Sequence, residues 1–188
     1  MSQPRFFLFT PSTINETTML ACAAAASKAG DCASIIVPPS TAAATVATLQ
    51  NLGLAVLLRD AEARDMHHVK ADGLHLSQAD GLVDLRASLK SESLGIFVAT
   101  SRHVAMEAAE AGADYVAFAQ KSQIAGEPLL FWWQDIFEVP SVAFDPVGLE
   151  DLATLLPQKP DFIRPSDDMW QDAEVATKLI STLSKGMT

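Results

Sequence analysis

Short apolar runs recur along the whole chain at intervals of about 20 residues, the length of one strand plus one helix. Three copies share a pattern: an acidic residue, then an apolar run, then a polar residue six positions after the acid. Their acids are Asp72, Asp114 and Asp161, which are 42 and 47 residues apart. Because another apolar run lies between successive copies, the pattern indicates repeated strand–helix units.

Eight apolar runs are predicted to be β-strands, and segments of helical composition lie between them. The predicted strands are residues 6–10, 33–38, 54–59, 72–77, 94–99, 114–119, 140–144 and 160–164. The predicted helices include 14–29, 42–51, 101–111, 129–137 and 168–183. Buried strands alternating with helices indicate a parallel sheet, and eight units predict a compact (βα)8 TIM barrel, with residues 1–188 as one domain. A doubly wound open sheet is the alternative.

Composition and charge narrow the class of partner. The chain has 23 acidic and 13 basic residues, a formal net charge of −10. Without a cluster of Lys and Arg, we expect neither nucleic acid nor an anionic membrane as a partner. No apolar run is long enough to span a bilayer, and the first residues lack a signal-peptide pattern. With Cys22 and Cys32 expected to be buried thiols, we predict a cytoplasmic protein.

In such a barrel, working residues lie at the C-terminal ends of the strands and in the loops that follow. The candidates at those places are Thr10, Pro38, Arg59, Asp60, 77–80, Thr100, Ser101, Gln120, Lys121, Asp145 and 164–167. Asp60 and Asp80 follow neighbouring predicted strands and are expected to face each other across a gap of metal-site size. Two such carboxylates suit Mg²⁺, which completes its shell with waters and substrate phosphate. Alternatively, each aspartate caps the helix that follows its strand.

The segment that contains Asp80 resembles a known family motif. Residues 72–80 read Asp-Gly-Leu-His-Leu-Ser-Gln-Ala-Asp, similar to the Asp-Gly-Val-His-Leu-Gly-Gln-Glu-Asp of thiamine phosphate synthases. Residues 58–60 stand at the place of that family's Ile-Asn-Asp, and 112–116 match its Gly-Ala-Asp-Tyr-Val strand. The resemblance implies a transferase of thiamine biosynthesis that joins hydroxymethylpyrimidine pyrophosphate to thiazole phosphate and releases pyrophosphate.

The same resemblance implies a cofactor and a set of site residues. Mg²⁺ is expected on Asp60 and Asp80, and phosphorylated pyrimidine and thiazole are the implied substrates. Arg59 and Lys121 are expected to act as catalytic cations on phosphate. The expected substrate-binding residues are His75, Gln78, Thr100, Ser101 and Arg164.

Two of these residues have alternative interpretations. Arg59 stands where the family has Asn, and its guanidinium is suited to hold a phosphate bidentately. Equally, it pairs with Asp60 or Asp80 and fills the metal position. His75 either faces the substrate or is a satisfied interior histidine.

The chain departs from the family at both phosphate-binding elements. The family's second strand carries Gln, Arg and Lys in alternation, whereas residues 33–38 here supply no cation. At the seventh strand a Gly-Gly turn is replaced by 143–148, in which Pro146 lacks an N–H and Asp145 repels phosphate. The family's loop after the sixth strand, with its threonine and lysine, is replaced by 120–123. A second class therefore stays open: a barrel without synthase activity that binds or isomerises a thiazole-like ligand, or serves a protein partner.

The predicted helix 129–137 is unusually rich in large apolar side chains, with two adjacent tryptophans, Trp132 and Trp133. Half of such a helix can face the barrel. We expect the remainder, from Leu129 to Phe137, to form a homodimer contact. A cover over the barrel mouth and simple core packing are the alternatives.

Overall fold

The computed structural model describes residues 3–121 and 128–188. The strands are β1 (Arg5–Phe9), β2 (Cys32–Val37), β3 (Ala55–Arg59), β4 (Gly73–Leu76), β5 (Ser93–Ala99), β6 (Tyr115–Phe118), β7 (Ser141–Val147) and β8 (Phe162–Pro165). The helices are α1 (Glu16–Ala29), α2 (Ala43–Gln50), α3 (Ala63–Val69), α4 (Leu82–Ser88), α5 (Arg102–Glu110), α6 (Leu129–Ile136), α7 (Leu152–Leu155) and α8 (Ala173–Gly186). Short 3-10 turns cover Leu149–Asp151, Leu156–Gln158 and Asp167–Trp170.

The strands of the described residues close into one barrel in chain order, each parallel to its neighbours, with β8 pairing back onto β1. This confirms the predicted (βα)8 TIM barrel and excludes the open sheet. The C-terminal ends of all strands therefore meet at one mouth. Among the described residues, no helix has both the length and the apolarity to cross a bilayer.

The predicted boundaries of β7 and of the last helix are wrong. β7 continues past 144 to Val147, because Val147 pairs with Pro165 across a register shift after Ala143. The last helix begins at Ala173 rather than 168, since Asp172 caps it by accepting from two backbone amides. The preceding residues form the 3-10 turn, in which Trp170 Nε1 donates to Phe9 O at 2.9 Å.

Alternate residues of the strands divide the core into an outer layer and a barrel interior. The outer layer packs the strands against the helices, as expected for strands buried on both faces. The interior is filled largely by rings, and its members are Phe7, Ile36, Leu57, Tyr115, Ala117, Val142 and Phe144, with Phe9, Phe97 and Phe162 packed against them. This plug closes the barrel below the mouth, so a ligand must bind above it.

One glycine makes the interior possible. His75, Gly95 and Tyr115 lie in one row across β4, β5 and β6. A Cβ on Gly95 would lie 1.9 Å from Tyr115 Cζ. Because Gly95 has no side chain, the tyrosine ring crosses over β5, and its hydroxyl comes within 2.7 Å of His75 Nδ1.

The aromatic helix α6 packs partly into the core. Trp133 is fully buried, its ring stacks on Phe137 at 4.1 Å, and its Nε1 donates to Val139 O at 2.7 Å. Trp133 also contacts the Phe118 ring of β6, at 5.5 Å between centroids. These contacts place the buried half on the barrel wall, as in core packing. Ile136 remains 61% exposed, and the homodimer contact stays a prediction.

Cys22 and Cys32 are both buried and unpaired, which confirms the prediction for the two thiols. Burial raises the pKa of the Cys32 thiol to about 12, so it stays protonated and unreactive. Neither thiol takes part in the site described below.

Candidate active site at the barrel mouth

The centre of the mouth holds two arginines above one phenylalanine. Arg59, at the end of β3, places its Cζ 4.8 Å from the Phe9 ring centroid, and Arg164, on β8, places its Cζ at 4.5 Å. Arg59 Nη2 also donates to Ser12 Oγ at 3.2 Å. Within residues 3–121 and 128–188, Arg59 forms no ion pair with a carboxylate. The alternative in which Arg59 pairs with Asp60 or Asp80 is therefore wrong.

His75 lies directly beneath these cations, and only 1% of it is exposed. Its ring stacks on Phe144 at 5.3 Å, and its Nδ1 hydrogen-bonds the Tyr115 hydroxyl. Burial lowers the pKa of His75 to about 3; the positive charges of Arg59 and Arg164 act in the same direction, and Asp60 opposes them. The ring is neutral at physiological pH, as expected of a satisfied interior histidine, and it forms the floor of the mouth.

Asp60 follows β3 and holds the loop after β4. Its backbone is left-handed, with φ 48°, a conformation that aspartate tolerates better than most residues. Its carboxylate accepts from both the backbone N and the Oγ of Ser77, each at 2.7 Å. The N-cap residues of α3 and α4 are Glu62 and Gly81, so the helix-capping alternative is wrong for Asp60 and for Asp80.

Asp60 and Asp80 line one open cavity of about 720 Å³ beyond the ends of β3 and β4. Gln78, Glu62 and Asp84 line it as well. Asp80 is exposed, and its carboxylate has no hydrogen bond or ion pair with any described residue. The cavity therefore presents hard oxygen donors, the type that Mg²⁺ prefers.

The donors of this cavity fit an ion that keeps part of its water shell. No group of three or more His, Cys, Asp or Glu side chains within the described ranges is arranged to hold a metal by itself. Mg²⁺ commonly uses one or two carboxylates and completes its octahedron with water and substrate phosphate. Asp60 and Asp80 match that requirement. They are too few for a closed structural metal site, in which protein side chains supply all the ligands.

The opposite side of the mouth, at β6 and β7, is closed by its own hydrogen bonds. Gln120 Nε2 donates to Asp145 O at 3.0 Å, and its Oε1 accepts from Asp145 N at 2.9 Å. Lys121 N donates to the Asp145 carboxylate, and Lys121 Nζ pairs with Asp151 at 2.8 Å. Asp151 also accepts from Gly148 N. The expected phosphate-binding lysine thus has a carboxylate partner; Ser122 and Gln123 lie outside the described residues.

The residues after β5 contribute mainly to local structure. Ser101 caps α5, since its Oγ accepts from Val104 N at 3.2 Å. Ala99 has a left-handed φ of 49°. Thr100, between them, is half-buried at the rim of the mouth.

Comparisons with known proteins agree with the motif. No protein-family model matches the chain. The thiamine-phosphate synthase of Rhodospirillum centenum is 29% identical over 188 residues, covering 90% of this chain and 91% of the relative. That of Erythrobacter litoralis is 40% identical over 120 residues, covering 57% of this chain and 56% of the relative. That of Hyphomonas neptunium is 36% identical over 138 residues, covering 68% of this chain and 62% of the relative. These relatives support the thiamine-phosphate synthase family for this chain.

Solved structures with the same architecture include a thiamine phosphate pyrophosphorylase from Pyrococcus furiosus. It has a TM-score of 0.78 and 18% identity, covering 97% of this chain and 95% of that one. A native KDPGal structure is as similar in shape, with a TM-score of 0.79 and 13% identity, covering 99% and 95%. At these identities the likeness shows the barrel fold alone.

The structure also adds residues to the site that the family motif did not indicate. Phe9 supports both arginines, Ser12 bonds one of them, and Asp167 bonds the other. A signal for Phe9 exists in the alternation of β1, where Phe7 and Phe9 occupy the same face. No local signal marks Ser12, because its contact with Arg59 joins segments far apart in sequence. Asp167 lies three residues after Arg164, within the predicted strand end 164–167.

Proposed function

We propose that this protein is a Mg²⁺-dependent thiamine-phosphate synthase. It joins hydroxymethylpyrimidine pyrophosphate to thiazole phosphate and releases pyrophosphate. The observation that carries the proposal is the shared cavity of Asp60 and Asp80, at the strand ends where barrel enzymes place their chemistry. The names of the relatives support the same activity. The two buried, unpaired thiols support the reduced cytoplasm as its location.

The reaction needs charge stabilisation more than proton transfer. The bond between the pyrimidine's methylene carbon and the pyrophosphate oxygen breaks, and its electron pair leaves with pyrophosphate. The thiazole nitrogen then donates its lone pair to that carbon, so no proton moves. A neutral His75 suits this chemistry, because its pKa of about 3 makes it a poor base near neutral pH. We assign His75 to the floor of the substrate pocket.

Asp60 and Asp80 would hold the metal, and Mg²⁺ when bound supplies positive charge to the leaving pyrophosphate. The two Ser77 hydrogen bonds fix the orientation of Asp60, so one ligand is already in place before substrate arrives. Gln78 lines the same cavity and would bind substrate there. Thr100 and Ser101 would contact substrate at the rim, and Arg59 and Arg164 would contact phosphate from the centre.

Lys121 is left out of the proposed site. Its ammonium is held by Asp151, in a separate recess of about 260 Å³ that Gln120 and Thr154 also line. A lysine already neutralised by a carboxylate gains less from a phosphate than a free one does.

A second candidate function is ligand binding without turnover. The observation that favours it is the β6–β7 side, where Asp145 and Pro146 occupy the place of a phosphate-binding turn and the local polar groups bond one another. β2 contributes no cation to the mouth either. In this case Asp80→Asn would bind a thiazole phosphate as well as the native protein does.

The test is pyrophosphate release from the purified protein with pyrimidine pyrophosphate, thiazole phosphate and Mg²⁺. We expect Asp80→Asn to lose at least roughly a hundredfold in kcat, as for loss of a charge-stabilising group. Asp84→Asn is the matched control, because it removes the same charge from the same cavity wall. Release that survives in Asp80→Asn would contradict the metal assignment. Folded native protein without release would establish the binding-only function.

A further inference from the structure

The two arginines above Phe9 come from strands on different parts of the barrel wall. Arg59 ends β3 and Arg164 lies in β8, and β1 and β2 separate these strands. Both guanidinium groups nevertheless lie within 5 Å of one ring centroid, at 4.8 and 4.5 Å. Like charges gathered in this way repel each other, and an anion placed between them relieves that repulsion. The ring's negative face offsets only part of it.

The hydrogen-bonding capacity of the pair is incompletely used. Arg164 Nη2 donates to both carboxylate oxygens of Asp167, at 2.7 and 2.8 Å, and Nη1 reaches Phe144 O at 3.3 Å. Its Nε is buried and has no partner among the described residues. Buried N–H groups are almost always satisfied, so this one points to a missing acceptor. Arg59 uses one donor, toward Ser12, which leaves others of its fork for a ligand.

We propose that Arg59 and Arg164 act together as the pyrophosphate-binding site, replacing the cations that β2 lacks. The inference rests on the proposed function, since it assigns the phosphate group of that reaction. Two guanidinium forks suit pyrophosphate, which offers oxygens on both of its phosphorus atoms. Asp60 directly follows Arg59, so the bound group lies beside the carboxylate cavity where the metal would sit.

The surroundings of the pair favour an anion of this charge. His75 beneath it is neutral, because burial lowers the pKa of His75 to about 3, so the positive charge here comes from the two guanidinium groups. Asp167 is the one carboxylate of the described residues that is bonded to either guanidinium, and its side chain is 50% exposed. It therefore competes with a bound anion for Arg164, and a substitution can remove this competition.

Calorimetric titration of the full chain with inorganic pyrophosphate, with and without Mg²⁺, tests the pair without requiring turnover. We expect Arg59→Gln and Arg164→Gln each to weaken binding roughly tenfold or more, as for loss of charge-assisted hydrogen bonds. Arg5→Gln is the control, since Arg5 lies at the opposite end of the barrel, paired with Asp31. Inorganic phosphate should bind more weakly than pyrophosphate, because it engages one fork at a time.

A variant that leaves the partly buried Arg164 in place guards against misfolding. Asp167→Asn frees Arg164 without removing a core contact, and we expect it to tighten pyrophosphate binding several-fold. Unchanged or weaker binding in Asp167→Asn, or equal affinities in Arg59→Gln and Arg5→Gln, would overturn the proposal. Native protein that binds no pyrophosphate would do the same.

The result of this titration can be distinguished from the result of the pyrophosphate-release assay that tests the proposed function. Arginine-dependent pyrophosphate binding in a protein without turnover would support the arginine site and contradict the proposed synthase activity. Turnover that depends on Asp80, with pyrophosphate affinity unchanged in both arginine variants, would support the synthase activity and contradict the arginine site.

Discussion

The two sides of the barrel mouth use similar side chains in opposite ways. At β3 and β4, Asp80 is exposed with no partner among the described residues, and it opens on a cavity of about 720 Å³. At β6 and β7, the Gln120 amide and the Asp145 backbone bond each other twice, and Lys121 is paired with Asp151. One side keeps polar groups available to a ligand, while the other uses them to hold its own loops.

The difference shows that a polar residue at a strand end has no fixed role. Lys121 and Asp80 occupy equivalent places at the ends of strands, yet one is bonded within the protein and the other is not. Polar groups without internal partners can bind a ligand with no loss of existing bonds. A closed network must be broken first, which makes ligand binding there less favourable.

The largest effect is expected from removing the charge of Asp60, because Asp60 both holds the loop after β4 and is a proposed metal ligand. Asp60→Asn weakens two hydrogen bonds to Ser77 and removes a proposed metal ligand. We expect at least roughly a hundredfold loss of kcat, with about 1–2 kcal/mol lost from the free energy of unfolding. Asp80→Asn should share the first loss and not the second. Kinetics and urea unfolding of both variants check this; equal stability losses would show that Asp80 is structural.

Acid should destabilise the protein through His75, beneath both sides of the mouth. The folded ring stays neutral down to pH about 3, whereas the unfolded ring takes up a proton near its ordinary pKa of 6.5. The unfolded state thus binds more protons in that window, so this stability is complete above 6.5 and is lost as pH falls toward 3. Between pH 7 and 4.5 we expect a loss of about 2 kcal/mol.

The contribution of His75 is isolated by His75→Gln, whose side chain keeps a polar partner for Tyr115. Urea unfolding at both pH values should show a smaller loss in the variant than in the native protein. The same loss in both would mean that other groups cause the acid sensitivity.

Breaking the closed side should change stability and leave the chemistry alone. Gln120→Ala removes both bonds to the Asp145 backbone, and we expect about 1–2 kcal/mol of lost stability. Gln50→Ala is the control: its exposed amide also makes two bonds, to Lys70 and Asp72, and we expect a smaller loss. Measured below the unfolding transition, kcat of Gln120→Ala should stay within about twofold of native.

The smallest effect is expected from the Lys121–Asp151 pair. The pKa of Asp151 lies below its ordinary 3.8 because Lys121 and the Gly148 N–H stabilise its carboxylate, against the opposing effect of burial. This stability is complete above the ordinary pKa of 3.8 and is lost as the pH falls from there through the lower pKa of the folded protein. Lys121 is 47% exposed, so we expect Lys121→Met to lose under about 1 kcal/mol at pH 7, with no change in kcat. A large fall in kcat would show that Lys121 belongs to the active site.

The fold was predictable because the barrel repeats one unit. The spacing of Asp72, Asp114 and Asp161 indicated the repeated unit, and the count of eight apolar runs indicated the barrel. Each of the three acids accepts hydrogen bonds at the base of a strand. The end of β7 was not predictable, since Pro146 reads as a stop, and its continuation depends on pairing with β8.

The candidate site was predictable only in part. The motif placed Asp60 and Asp80 together, and they do line one cavity. It did not reveal that Arg59 and Arg164 share the Phe9 ring, since residues 9, 59 and 164 meet only when the barrel closes. The partner of Lys121 was equally hidden, because Asp151 is 30 residues away. Contacts of long sequence separation leave no local pattern.

The most direct test of the contrast between the two sides is kcat of Asp80→Asn against Gln120→Ala, at a temperature where both are folded. We expect kcat of Asp80→Asn to be roughly one hundredth of the kcat of Gln120→Ala or less, although Asp80→Asn is the more stable protein. Similar kcat values in the two variants would show that the two sides of the mouth do not differ in function.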